Sequence, residues 1–107
     1  MNDFVPESIY QQLVQVGEDW ADKEAAAELL EETKKSVLAE LKREFSGSDA
    51  ERERNALADP AYKLHVTKMN AARREANRAR VKYDSCKVLA ELRRTQESTR
   101  RMERYQQ

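Results

Sequence analysis

The chain has 107 residues, 39% of them hydrophobic and 37% charged, with two glycines, two prolines and seven aromatics. The length suits one domain, and high charge with scarce Gly and Pro fits long helices or a coiled coil while excluding an ordinary sheet protein. The formal net charge is zero, but residues 1–50 carry a net of −7 and residues 51–107 a net of +7, so the neutral total excludes no class of partner.

In chain order, Asn2 or Asp3 is a candidate cap for a first helix, with Pro6 in its first turn, where a missing N–H costs least. Apolar residues recur at Ile9, Leu13, Val16, Trp20, Ala27, Leu30, Val37 and Leu41, in gaps of three, four and seven. That is the period of an amphipathic helix or coiled-coil seam, and it argues against disorder, the competing reading for so charged a chain. Phe45 closes the run and Ser46-Gly47-Ser48 stops it. Gly17 costs about 1 kcal/mol relative to alanine inside a helix. The spacing therefore predicts either one helix over 6–45 or a short helix, a kink near 17 and a long one.

Ser48 and Glu51 form an S-x-x-E capping box that starts a short helix over 49–58. Asp59-Pro60 then restarts the chain, with Asp as N-cap and Pro at the first helical position. A second long helix is predicted over 60–103, with its seam at Tyr62, His65, Met69, Ala72, Ala76, Ala79, Tyr83, Cys86 and Ala90. After Leu92 the apolar signal fades until Met102 and Tyr105. The expected fold is all-α: an antiparallel hairpin of two long helices with a short connector helix, coiled-coil-like. Leu13, Trp20, Leu30, Val37, Leu41, Tyr62, Met69 and Tyr83 are the expected core and oligomer seam. Ala72, Ala76 and Ala79 permit close helix approach. One stripe per helix buries little, so assembly into a homo-oligomeric bundle is expected.

Five basic residues, Arg73, Arg80, Lys87, Arg94 and Arg101, stand seven apart and project from one side of the second helix. An antiparallel hairpin brings the acidic segment Glu18, Asp19, Asp22, Glu24, Glu28, Glu31 and Glu32 near residues 73–88. Arg73, Arg80 and Lys87 are therefore expected to pair internally. Arg93, Arg94, Arg100, Arg101 and Arg104 fall opposite residues 1–12, where only Asp3 and Glu7 are acidic. They are left for another subunit or for a polyanion, whose phosphates need little more than positioned Arg and Lys. Tyr105, beside Arg104 and outside the clear seam, is the candidate for base stacking.

Other chemistry is thin. His65 on the seam reads as a hydrogen-bonded core residue, and with no second histidine there is nothing to build a metal site. Glu24, Glu28, Glu31 and Glu32 lack a histidine three positions on, so the di-metal bundle motif is absent. Cys86, the only cysteine, allows no internal disulfide and reads as a small seam residue in a reducing cytoplasm. No charged leader followed by an apolar stretch is seen, and nowhere are 18 consecutive residues apolar, so no membrane association is expected. Without a Gly-rich phosphate loop, a G-x-S-x-G elbow, an H-E-x-x-H or a Cys/His pair, neither an enzyme nor a cofactor is expected.

The run ERERNALADPAYKLHVTKMNAARREANRARVKY, followed by AELRRTQESTRR, resembles a pattern in small helical proteins of tailed phages. In that pattern a capped short helix ends Ser/Asp-Pro-x-Tyr, a long Ala/Arg-rich helix follows, and Arg-Thr with Arg-rich turns closes it. The matching residues are Asp59, Pro60, Tyr62, Arg94, Thr95 and Arg100, and the resemblance covers residues 48–101. Such proteins are often encoded near phage recombination and replication genes. The resemblance thus implies a role beside a phage or host recombination or replication protein, in the cytoplasm of a bacterial host. It carries no catalytic residues. Three functions remain open: an accessory protein on nucleic acid, an adaptor or inhibitor docking on an enzyme without touching DNA, and a self-assembling structural bundle.

Overall fold

The structure, a computed structural model, describes residues 6–106. It has three helices: α1 (Pro6–Lys42), α2 (Asp49–Ala58) and α3 (Pro60–Gln106). The two long helices pack along one another with α2 across the bend. The result is a rod of 85 × 18 × 18 Å. At a rise of about 1.5 Å per residue, the 47 residues of α3 span about 70 Å and set most of that length.

The helix boundaries follow local chemistry. Ser48 is extended (φ −66°, ψ 160°) and its Oγ accepts from the Glu51 N–H at 3.2 Å, which satisfies an orphan donor of α2's first turn. Asp59 does the same for α3: its Oδ1 accepts from Ala61 N–H at 2.8 Å, one residue past Pro60. Gly47 has φ +109°, where a side chain would be strained, so the turn between α1 and α2 depends on this glycine. The candidate caps Asn2 and Asp3 lie outside the described residues.

Two boundaries differ from the spacing argument. α1 ends at Lys42, not at residue 45, because Arg43, Glu44 and Phe45 turn tighter, donating to the carbonyls of Glu40, Leu41 and Lys42 three residues back. Phe45 is thereby half-buried at the bend. α3 runs on to Gln106, three residues past the expected end. Gly17 makes no break, because α1 is continuous through it. Its role is steric: a Cβ there would stand 3.3 Å from Cε2 of Tyr83, and the bare backbone lets that ring close on α1.

The antiparallel register is pinned at four levels. His65 Nε2 bonds the Leu30 carbonyl at 2.8 Å, Arg73 reaches Glu24 and Glu31, Tyr83 lies against Gly17 and Trp20, and Ile9 shares a groove with Ala90. Small residues fill the closest approach: Ala27 and Ala76 are fully buried, with Ala79, Val16 and Ala90 nearly so. The expected seam residues Leu13, Trp20, Leu30, Val37, Leu41, Tyr62, Met69 and Tyr83 are all half-buried. They flank the alanine contact and do not form a closed core. Among the described residues no large side chain is fully buried. Two helices share one line of contact, and a large side chain beside that line always keeps an edge toward water.

Candidate nucleic-acid interface

The basic stripe divides, although not where the spacing argument put the division. Arg73 is an internal ion-pair centre. Its Nε and Nη2 grip both carboxylate oxygens of Glu31 at 2.9 and 2.6 Å, and its Nη1 bonds Glu24 one heptad earlier on α1. This planar fork matches a carboxylate as a lysine could not. The guanidinium's hydrogen bond holds the Glu31 carboxyl below its ordinary value of 4.5, and the two glutamates push the Arg73 pKa further up. Arg80 and Lys87, expected to pair in the same way, do not. Both are exposed, and neither meets a carboxylate within ion-pair distance among the described residues. In the antiparallel register they come level with Gly17 and Tyr10, the α1 positions that continue the spacing of Glu31 and Glu24, and neither carries a carboxylate.

The last turns of α3 carry the rest. Arg93, Arg94, Arg100, Arg101 and Arg104 are all exposed. Arg101 Nε stands 3.9 Å from Glu97 Oε1, a loose approach within the helix, and the other four have no ion-pair partner among the described residues. At about 100° per residue the five form two rows, Arg93, Arg100 and Arg104 in one, Arg94 and Arg101 in the other, with Glu97 between them. The rows lie on the side of α3 that α1 covers farther down the rod, so among the described residues α3 outruns α1 and leaves a basic ledge. A groove of about 270 Å³ opens where the ledge begins, with Ile9 and Tyr10 of α1 on one side and Arg94, Ser98 and Arg101 of α3 on the other. Tyr105 is 92% exposed, free of both helices.

The remaining candidates are structural in their surroundings. His65 is half-buried and donates Nε2–H to a helix carbonyl, since a carbonyl only accepts. Cys86 is half-buried on the seam. Trp20 stacks at a tilt on Tyr83, with ring centroids 5.4 Å apart, and its buried Nε1 has no hydrogen-bond partner among the described residues. Among the described residues no group of His, Cys, Asp and Glu could hold a metal ion, and no helix is long and apolar enough to cross a membrane.

Among the described residues this is a long-helix hairpin whose basic end extends past α1, and that is the class its geometry defines. Comparison with protein-family models, with curated proteins and with solved structures finds no match.

Proposed function

We propose that the protein is a non-enzymatic accessory factor of phage type that associates, as a homo-oligomer, with nucleic acid in the cytoplasm of a bacterial host. There it assists recombination or replication. The observation that carries this reading is the contrast along α3: Arg73 is neutralised by two glutamates, while Arg93, Arg94, Arg100 and Arg104 stand exposed without an ion pair among the described residues. Exposed arginines in two rows suit phosphates, and Tyr105 at the end can stack on a base. Such binding reads charge and not sequence, so its signature is salt dependence.

The test is a titration of the purified chain with labelled duplex and single-stranded DNA over a salt series. Arg94→Ala with Arg101→Ala should leave helicity intact and weaken binding. The slope of log affinity against log salt should fall by about 0.9 for each duplex phosphate that the variant no longer neutralises. No binding at low salt, or full binding by the double variant, rejects the reading. The adaptor reading then takes its place, favoured by the groove that sets Ile9 and Tyr10 beside Arg94 and Arg101, a mixed apolar and basic surface suited to an acidic protein segment.

A further inference from the structure

The face of α3 that points away from α1 repeats a second pattern. Val81, Ser85, Val88, Leu92, Thr95, Thr99 and Met102 follow one another at alternating gaps of four and three. This is the spacing of a coiled-coil seam. It lies nearly opposite Ala76, Tyr83 and Ala90, the residues that meet α1, so the hairpin cannot cover it. Val81, Val88, Leu92 and Met102 are 54 to 63% exposed. Charge is missing from the stripe although 18 of the 47 residues of α3 are charged. Two of its hydroxyls are already satisfied within the helix, Thr95 Oγ1 donating to the Glu91 carbonyl at 3.1 Å and Thr99 Oγ1 to the Thr95 carbonyl at 3.0 Å. Burial of those threonines strands no donor and leaves their methyls to pack.

A seam of this spacing takes another helix. We infer that the helix is α3 of a second copy, running antiparallel. The flanking charges select both partner and register. With Leu92 set against Thr95 of the partner and Val88 against the partner's Thr99, Lys82 faces Glu103 of the partner at both ends, and no like charges meet across the flanks. Slipping one heptad back sets Glu91 against its own counterpart, and slipping two sets Asp84 against Glu91. A parallel pairing makes no opposite-charge flank at all. The selected register lays the end of α3 that outruns α1 along the middle of the partner's α3, covering Met102. The five ledge arginines stay open, because they lie on the other side of the helix. This deepens the oligomeric part of the proposed function and needs no nucleic acid.

Sedimentation of the full chain without DNA, from a few to about 100 micromolar, tests it. Wild type should reach the mass of two 12.5 kDa chains. Val88→Glu with Leu92→Glu lies outside the hairpin contact, so circular dichroism should keep the helical signal while the dimer dissociation constant rises at least about 100-fold. Lys82→Glu alone and Glu103→Lys alone should each weaken the dimer, and the two together should restore it. A wild type that stays at one chain, or a folded double-glutamate variant that still pairs, overturns the seam. Failure of the charge swap to rescue overturns the antiparallel register. A monomer that nonetheless binds DNA rejects this inference and leaves the nucleic-acid reading standing.

Discussion

Arg73 shows how one side chain can lock a register that apolar spacing leaves loose. Its fork engages Glu31 through both oxygens and adds Glu24 a heptad away, so sliding α1 by a turn would break all three bonds. Glu31 has a lowered pKa in the folded chain because Arg73 bonds its charged form. Its contribution is therefore complete above 4.5 and is lost as pH falls through the lower folded value, while the guanidinium keeps its charge throughout. Asp49, bonded by Lys42 at 2.9 Å, has the same sign. Thermal melts should thus lose stability on acidification below about pH 4.5, and Arg73→Gln should flatten that loss. An equally steep loss in the variant would assign the acid sensitivity elsewhere. Arg80→Ala, by contrast, should change stability by no more than about 0.5 kcal/mol in a urea melt, as for any exposed side chain without a partner. Gly17→Ala adds about 1 kcal/mol of helix propensity but sets a methyl 3.3 Å from the Tyr83 ring. The measured gain should fall short of that figure, and a full gain would mean the ring yields freely.

At the scale of elements, α2 is the fragile piece. It has ten residues, too few to hold as an isolated helix, with one buried side chain, Ala56, and one capping hydroxyl. Ser48→Ala should cost about 1 kcal/mol. It should speed amide exchange in α2 while α1 and α3 keep their protection. Uniform exchange across the three helices would show that the bend and the long helices open as one unit. α3 is graded along its length, with the Arg73 fork and Ala76 in the half packed on α1 and the arginine rows in the half that extends past α1. Glu97 lies between those rows, at 3.9 Å from Arg101. Glu97→Gln should tighten DNA binding in the salt series, and weaker binding would show that Glu97 positions Arg101 rather than opposing it.

For the whole molecule the governing fact is thinness. A rod 18 Å across has room for one line of side chains between two helices, and alanines occupy it. Ala27→Leu or Ala76→Leu should cost about 1 to 3 kcal/mol, since a larger side chain must push the helices apart along the rod. Chemical denaturation gives the direct measure, and an unchanged midpoint would mean the contact line is looser than these fully buried alanines imply. Leu30→Asp, half-buried beside the line, should cost about 2 to 5 kcal/mol through poorer packing and desolvation.

How much of this was legible in the sequence depends on the range of the forces involved. Helices and their starts were, because caps and apolar period act within a few residues: Ser48 on Glu51, Asp59 on Ala61, and the three-and-four spacing from Ile9 to Ala90. The hairpin followed from the short connector, and the half-buried state of His65 from its place on the seam. Exposure of the terminal arginines was also readable, because too few acids could stand opposite them. Only the packed pair of helices decided which of three evenly spaced cations found carboxylates. The heptad spacing of Glu31 and Glu24 continues on α1 as Gly17 and Tyr10, so Arg73 meets two carboxylates while Arg80 and Lys87 come level with positions that have none. Packing also decided that Gly17 makes space for a ring, in a helix that runs unbroken through it, because a glycine's role depends on what approaches it. The outer stripe from Val81 to Met102 was present in the sequence as spacing, but its meaning needed the first seam placed. Two interleaved heptads on one helix look alike until one of them is covered.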